Sequence, residues 1–274
     1  MLGLPPTVYA AASSISLLYQ YWIHTRQIGR LGWFDRWFAS PSNHRVHHGQ
    51  NDYCLDRNYG GMFMVWDRLF GTFVQEREGE EIVYGIRGQL HSWNPLWANL
   101  HVYQVLWRDC LLAESWKDRL KVWVAHPGWR PEAAQRQAPK RSSDLAHFQK
   151  YDSLAPRALQ GYGFVQFVLA ILLTVHFLLL QGSASLTASL AYAAVLVVTM
   201  WTLSGLLENR PLFIKLEFAR LLLLGAGMGV AGGWFGDIPL VGAGLALALG
   251  PLGVSALWLG AIARRNTPPL AQAT

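Results

Sequence analysis

Four apolar runs, each close to the length of a membrane-spanning helix, follow one another in the second half of the chain. They occupy residues 162–180, 186–206, 212–234 and 240–262. A helix needs about 20 residues to cross the hydrocarbon core of a bilayer. Because lipid offers no partner for backbone N–H and C=O groups, such runs are expected to be helical. The sequence therefore predicts an all-α, multi-span integral membrane protein.

A fifth run, residues 7–23, lies near the N-terminus and ends in the aromatic group Tyr19, Tyr21 and Trp22. With five spans, one set of loops contains nearly all the Lys and Arg residues. The loops on the opposite side contain none, and they are residues 1–6, 181–185 and 235–239. Basic loops are retained on the cytoplasmic side, so we expect residues 25–157 to form a cytoplasmic, histidine-rich helical cap. A bacterial chain of this kind would lie in the inner or plasma membrane.

The spacing of the apolar runs divides the chain into four predicted parts. Residues 1–131 hold one span and the cap, 132–156 form a polar linker, 157–265 form a four-span membrane module, and 266–274 form a disordered tail. The 52% hydrophobic content and the 13 Trp residues agree with a membrane protein that has an aqueous face. Two cysteines define no disulfide framework, and no nucleic-acid-binding motif accompanies the basic and aromatic stretch at 29–38.

The strongest chemical signal is the cluster His44, His47 and His48 in the pentapeptide HRVHH. On a helix these positions are i, i+3 and i+4, so the three imidazoles share one face. Nitrogen donors at this density suit zinc, copper, nickel or iron, whereas calcium and magnesium prefer oxygen. The segment Pro41-Ser42-Asn43 predicts a helix start, with Ser42 or Asn43 as the N-cap.

Polar residues near the cluster are candidates to orient the imidazoles by hydrogen bonds to the ring nitrogen that does not bind the metal. They are Asp52, Asp56 and Asn58, together with Asn43 directly before the cluster. The alternative interpretation is a group of surface histidines on a polar turn. Cys54 lies next to the cluster, but a small buried residue is the preferred interpretation because free cysteines usually pack.

The residues around the cluster carry a family resemblance. The run SPSNHRVHHGQND, followed by NYGGMFMVWDRLFGTF, resembles the last histidine box of the sterol desaturase / fatty acid hydroxylase superfamily, and in particular its alkylglycerol monooxygenase-like branch. The segments LLYQYWIHTRQIGRLG, which contains His24, and YGIRGQLHSWNPLWAN are similar to the same branch. The resemblance covers roughly residues 4–99.

This resemblance implies a membrane enzyme with a histidine-ligated di-iron centre that uses O2 to hydroxylate or desaturate lipids. It implies that His24, His44, His47 and His48 are metal ligands. The lipid would enter from the bilayer, and electrons would come from a separate donor, or from a pterin in the alkylglycerol branch. The resemblance leaves hydroxylation, desaturation and ether cleavage open.

One departure from the family pattern concerns two earlier histidine boxes, H-x(3,4)-H and H-x-x-H-H, which the family has upstream of this region and which are absent before His44 here. We therefore expect the chain as given to be an incomplete enzyme, with Met1 an internal methionine of a longer frame or the remainder of a shortened gene. Two other classes of function stay open: a non-catalytic membrane remnant, and a histidine-ligated zinc or metal-handling protein.

The remaining histidines and the charged residues of the membrane module have simpler interpretations. His91 and His101 are predicted to be ordinary polar residues, and His176 a packed or hydrogen-bonded one. Glu217 and Arg220 stand three positions apart on one predicted helix, where they can pair. A pair that snorkels near the cytoplasmic boundary is the preferred interpretation.

Overall fold

The computed structural model describes residues 3–139, 144–153, 155–235, 238–239 and 242–266. The secondary structure is almost entirely helical, so the predicted all-α class is confirmed. The helices are α1 Pro6–Ile23, α2 Phe34–Trp37, α3 Pro41–His47, α4 Val65–Phe70, α5 Pro95–Leu112, α6 Trp116–Val124, α7 Glu132–Gln137, α8 Arg157–Leu179, α9 Leu186–Leu207, α10 Pro211–Ala231 and α11 Ala243–Asn266. A 3-10 turn at Asp52–Cys54 and two short antiparallel strands, β1 Gly233–Trp234 and β2 Ile238–Pro239, complete the described elements.

The contacts divide the chain into two compact units. The first contains the described residues of Met1–Gln89 and Lys140–Lys150, and the second contains those of Leu90–Pro139 and Tyr151–Thr274. The predicted linker at 132–156 is therefore not uniform: its first residues form α7, where Ala133 and Ala134 are buried. The predicted disordered tail lies outside the described residues, apart from Asn266.

In the first unit, the end of α1 packs against the residues that precede α3. Ile23 and Ala39 are buried together with Met64, and the hydroxyl of Tyr19 donates a hydrogen bond to the Ala39 carbonyl at 2.7 Å. α4 ends at Gly71, whose φ of 71° is the left-handed conformation that favours glycine at a helix C-terminus. These contacts fix the direction in which the chain leaves the first helix.

In the second unit, α8 lies beside α9 and α11, and α10 lies beside α9 and α11. Their common core is made by six buried side chains, Leu159, Tyr162, Leu206, Phe213, Leu259 and Ile262. Gly205, in the last turn of α9, is required where α10 packs closely, because a Cβ there would lie 2.1 Å from the ring of Phe213. The helix boundaries agree with the four predicted apolar runs to within a few residues.

Within the described residues, three helices are long and apolar enough to cross a membrane: α8, α9 and the Gly244–Arg264 part of α11. α10 has the length, but it carries Lys215, Glu217 and Arg220. α1 is 18 residues long and contains serines, a glutamine and several aromatic residues. An integral membrane protein with several spans is thus confirmed, whereas the count of five stays a prediction.

Glu217 and Arg220 form the predicted ion pair, with two nitrogen–oxygen distances of 2.6 and 2.8 Å. The expectation that the pair snorkels to the membrane boundary is wrong, because Glu217 is 1% exposed and Arg220 is 8% exposed. Polar partners on the neighbouring helices replace water around them. Tyr162 and Thr202 donate to the Glu217 carboxylate, and Arg220 donates to Gln166 and Thr199.

We predict that Glu217→Gln lowers the free energy of unfolding by about 3–5 kcal/mol, because it leaves a buried guanidinium without its counter-charge. The double change Glu217→Leu with Arg220→Met removes both charges and is expected to cost less than the single change. Unfolding in a detergent–denaturant titration measures both, with Glu114→Gln, at an exposed carboxylate, as the control. A double variant less stable than Glu217→Gln would contradict the view that the unpaired guanidinium of Arg220 causes the loss.

The topology of α10 can be tested directly. A reporter inserted near Gly182 should lie outside the cytoplasm and one fused after Thr274 should lie inside it, because the loop between α8 and α9 contains no Lys or Arg. Three crossings, by α9, α10 and α11, separate these positions if α10 spans the bilayer. Both reporters on the same side would reject a spanning α10.

Candidate metal centre

His24 is the residue at which α1 ends, directly after the buried Ile23. Its backbone leaves the helical region there, with φ −84° and ψ 60°. Its Nδ1 lies 2.6 Å from the carbonyl oxygen of Gln20, one helical turn earlier. Because a carbonyl only accepts hydrogen bonds, Nδ1 carries the proton and Nε2 presents its lone pair away from α1.

α3 presents the HRVHH cluster. Its N-cap is Ser40, whose hydroxyl accepts from the backbone N–H of Asn43 at 3.3 Å, so the expectation of Ser42 or Asn43 as N-cap is wrong by two to three residues. Pro41 occupies the first turn, where its missing N–H costs nothing. His44 and His47 lie on the helix, and His48 is its C-cap. The predicted i, i+3, i+4 arrangement is confirmed, with neighbouring ring centroids 4.5–5.5 Å apart.

Three of these imidazoles meet at one point. The Nε2 atom of His44 lies 2.7 Å from that of His24 and 2.9 Å from that of His48, and the His24–His48 distance is 3.3 Å. In the described part of the chain, His24, His44 and His48 form the group of donor atoms close enough to hold one metal ion. The two elements that supply them, α1 and α3, pack directly against each other.

The spacing of the three nitrogens fits a single transition-metal ion. Histidine nitrogens bind zinc at about 2.0–2.1 Å, so two of them at bond angles of 90–110° would be about 3 Å apart. The donor set is all nitrogen, which suits iron, zinc, copper or nickel. The residues present therefore fit a histidine-ligated metal.

The protonation of the cluster also favours a metal. Burial, together with the neighbouring imidazoles of His48, His24 and His47, lowers the pKa of His44 to about 3. Burial and the adjacent rings also lower the pKa of His48. Both rings are consequently neutral at physiological pH, which is the form of imidazole that binds metals.

His47, the fourth predicted ligand, lies next to this group but outside the three-nitrogen contact. Its ring stacks on that of His44 at a centroid distance of 5.5 Å, and its Nδ1 is 3.3 Å from the carbonyl oxygen of Arg57. A proton on Nδ1 would leave the Nε2 lone pair free. His47 thus lies beside the three-nitrogen group. Its Nε2 is free to bind an ion.

The four predicted orienting residues have different placements. Asn43 and Asn58 are buried, whereas Asp52 pairs with Arg87 at 2.5 Å and Asp56 accepts from the Tyr59 hydroxyl at 3.0 Å, both on the surface. Among the hydrogen bonds of the described residues, none joins these four side chains to an imidazole. The contacts to the rings come instead from two backbone carbonyls, those of Gln20 and Arg57.

Asn43 and Asn58 hold the backbone around the cluster. The Asn43 amide donates to the carbonyls of Asp35 and Phe38, at 2.9 and 3.3 Å. Asn58 has a φ of 53° and donates to the carbonyls of Asn43 and Val74, while its oxygen accepts from the Val74 N–H. These side chains bind the backbone around α3 and not the imidazole rings themselves.

Arg45 and Glu76 hold the backbone around the histidine cluster, a role that the sequence analysis did not identify. The guanidinium of Arg45 binds both oxygens of the Glu76 carboxylate, at 2.7 and 2.8 Å, and donates to the carbonyls of Thr25 and Ile28. The segment that follows His24 is thereby tied to the middle of α3. Glu76 belongs to a charged run that reads as solvated, yet its side chain is only 21% exposed. The position of Arg45 inside the histidine box was the sequence feature that could have indicated this ion pair.

Two secondary interpretations of the sequence are confirmed. Cys54 is buried and packs with Val46 and Ile82, so it is a packing residue. His176 is hydrogen-bonded to the Tyr192 hydroxyl at 3.0 Å within the membrane module.

Comparison with known proteins defines the class. Residues 1–72, which include all four candidate histidines, match the fatty acid hydroxylase family. The chain is 34% identical over 224 residues to an alkylglycerol monooxygenase of Xenopus tropicalis, covering 80% of this chain and 49% of the relative. It is 31% identical over 223 residues to an alkylglycerol monooxygenase of Homo sapiens, covering 81% and 50%. An ornithine lipid hydroxylase of Rhizobium tropici is 29% identical over 90 residues, covering 33% and 27%.

The comparisons support the sterol desaturase / fatty acid hydroxylase superfamily as the family of this chain. Within it, the chain is alkylglycerol monooxygenase-like, as its histidine box predicted. The chain spans about half the length of the curated relatives it matches. A similarity over four-fifths of the chain also extends well past the family match at 1–72 and into the second unit. No solved structure matches the chain.

We predict that Asn58→Ala destabilises the first unit by about 2–4 kcal/mol, because it leaves buried backbone groups of Asn43 and Val74 unpaired and places alanine at a positive φ. Asp56→Asn is the matched control: it is two residues away, also at positive φ, but exposed, and a change within about 0.5 kcal/mol is expected there. Denaturant titration in detergent measures both. Equal losses in the two variants would refute the role given to Asn58.

Proposed function

We propose that this chain carries the metal centre of a membrane-bound, O2-dependent lipid monooxygenase or hydroxylase that uses iron. The observation that supports this most is the convergence of the Nε2 atoms of His24, His44 and His48 within 3.3 Å. The relatives named as alkylglycerol monooxygenases and as a lipid hydroxylase support a lipid as the substrate.

In this proposal the ligands are His24, His44, His47 and His48. His44 is buried at the centre of the cluster. Its neutral ring directs Nε2 at the ion position. His24 is oriented by the Gln20 carbonyl, and His47 by the Arg57 carbonyl. A hydrogen bond from the distal nitrogen to a carbonyl fixes the tautomer and makes the ligating nitrogen more basic.

Iron at this position would supply what no side chain can, an oxidant made from O2 that removes hydrogen from an unactivated C–H bond. The protein's own task is to hold neutral imidazoles in place and to admit a lipid chain from the bilayer. Since the sequence contains no flavin, haem or nicotinamide motif, the reducing electrons are proposed to come from a separate donor or from a pterin. The centre is proposed to face the cytoplasm, on the side of the basic loops.

The proposed centre contains two irons, and four histidines are too few for it. Two metals have roughly four to six coordination positions each, only some of which water or O2 can fill. His24, His44 and His48 suffice for one ion, and His47 can serve a second. Further protein donors are required for that second iron.

A second candidate is a site for one zinc ion. Three histidines around a single ion with an open position is the arrangement of several catalytic zinc sites, and the three-nitrogen cluster has this form. The two candidates differ in metal identity, in stoichiometry and in the need for O2.

The test is metal analysis of the purified chain and of single variants, together with O2 consumption and product mass on an alkylglycerol and on an ornithine lipid. We expect iron in the intact chain, and an at least tenfold loss of iron or of lipid product in His48→Ala and in His47→Ala, because a methyl group cannot replace an imidazole donor. His176→Ala should retain the metal, since His176 bonds only Tyr192 among the described contacts.

Each outcome separates the alternatives. One zinc per chain and no O2-dependent product would favour the zinc candidate, and a chain that binds neither metal would favour a non-catalytic remnant. Equal metal loss in His47→Ala, His48→Ala and His176→Ala would reject the ligand assignment. Retention of metal in His47→Ala alone would limit the site to the three-histidine ion.

A further inference from the structure

α5 and α6 form a helical hairpin whose apolar side chains are largely exposed. α5 contains Asn99, His101, Gln104, Arg108 and Asp109, and it is not among the candidate membrane spans. Large side chains on both helices nevertheless face outward: Leu111 of α5 is 62% exposed and Trp116 of α6 is 77% exposed. Such a surface needs an apolar environment, because soluble proteins rarely leave contiguous patches of this kind in water.

The exposed residues form a stripe on each helix. On α5 the stripe is Leu96, Leu100, Tyr103, Trp107 and Leu111, and on α6 it is Trp116, Leu120, Trp123 and Val124. Successive members are separated by three or four residues, apart from the adjacent Trp123 and Val124, so each set lies on one helical face. The rings of Trp107 and Trp123 lie 6.4 Å apart and join the two stripes into one surface.

Near its C-terminal end, the side of α5 opposite the stripe is closed by protein, whereas Val102 and Val105 are exposed farther toward its start. Asp109 is 2% exposed and accepts two hydrogen bonds from Arg130, at 2.5 and 2.7 Å. Arg130 also donates to the carbonyls of Ala134 and Ala138 in and after α7, and α5 packs against α7. At this end the hairpin therefore has a polar, covered back and an apolar, open front.

The start of the hairpin is attached to the end of a membrane span. The Glu208 carboxylate, at the C-cap of α9, accepts from the Ser92 hydroxyl at 2.8 Å and from the backbone N–H of Trp93. Trp93 in turn donates from its indole to Ser153, whose hydroxyl binds the Leu207 carbonyl at 2.6 Å. α5 begins two residues later, at Pro95, beside the C-terminal end of α9.

Basic residues border the stripe on α6. Lys117 and Lys121 each follow a stripe residue by one position, which places them beside the stripe on the same side, and both are exposed. The guanidinium of Arg119 lies over the Trp116 ring on the other side, 4.9 Å from its centroid. Tryptophan with adjacent Lys and Arg is typical of helices that lie in the headgroup region.

We propose that the α5–α6 hairpin lies in the surface of the membrane that the second unit crosses. Its apolar stripe is buried among the acyl chains next to the end of α9, and Lys117 and Lys121 bind the phosphates of anionic lipids. The occupant of this face is the lipid surface, which is continuous with the lipid around α9. The hairpin is an in-plane anchor, distinct from the spans.

The test uses the full chain in vesicles, with Cys54 and Cys110 replaced by alanine and single cysteines labelled with an environment-sensitive fluorophore. Leu100→Cys and Leu120→Cys should be quenched at least threefold more strongly by nitroxide-labelled lipids than by aqueous iodide. Ala98→Cys is the matched control, because it is exposed on the same helix and points away from the stripe. There the preference should be reversed.

The other results overturn the proposal. Iodide quenching of Leu100→Cys as strong as that of Ala98→Cys would place the stripe in water. Protection of the stripe positions from both quenchers would mean that protein covers it, and a disulfide between two chains carrying Leu120→Cys would identify a second copy.

The lipid-headgroup part has its own control. In vesicles with about one-third phosphatidylglycerol, Lys117→Glu with Lys121→Glu should reduce the lipid quenching at Leu120→Cys at least twofold, whereas Lys117→Arg with Lys121→Arg should not. Both pairs should behave alike in pure phosphatidylcholine. An equal reduction in the two kinds of vesicle would exclude anionic headgroups as the partner.

Discussion

The contact between the end of α1 and Ala39, two residues before α3, determines the geometry of the first unit. Tyr19 and Ile23 fix Ala39 from two sides, by a hydrogen bond and by burial. Since α3 begins two residues after Ala39, its orientation relative to α1 follows from this contact. His24 and His44 are 20 positions apart in sequence, and they meet because of it. The salt bridge from Arg45 to Glu76 and the carbonyl contacts of Arg45 secure the same junction from the outer side.

Different parts of this arrangement were accessible to sequence reasoning to different degrees. The mutual placement of His44, His47 and His48 could be predicted, because it depends only on helical spacing within five residues. His24 could be assigned only by family resemblance, since nothing in its own neighbourhood indicates which helix it will face. The roles of Asn43 and Asn58 were expected at the rings, but they are exerted on backbone carbonyls. The sequence does not indicate whether an asparagine amide will bind an imidazole ring or a backbone carbonyl.

The membrane module presents a similar division. Its four helices follow from hydropathy and length, and their boundaries were predicted to within a few residues. The location of Glu217 and Arg220 depended on which way α10 is rotated, and a helix that is apolar almost all round does not reveal its rotation. The partners Tyr162, Gln166 and Thr202 lie on two other helices. Only their assembly provides enough hydrogen bonds for a buried charge pair. The exposed stripes of α5 and α6 were equally hidden, because a periodic apolar face predicts burial and does not say whether protein or lipid provides it.

The donors of the three-histidine cluster come from two elements, and this has a thermodynamic consequence. An ion held by His24 and by His44 or His48 closes a loop of about 20 residues, as a cross-link would, and it binds only the folded arrangement. By linkage, any free energy of metal binding is added to the free energy of folding of this unit. Metal occupancy and conformational stability are then a single coupled equilibrium. The supply of the ion would set how much of the folded chain persists, in addition to how much of it can react.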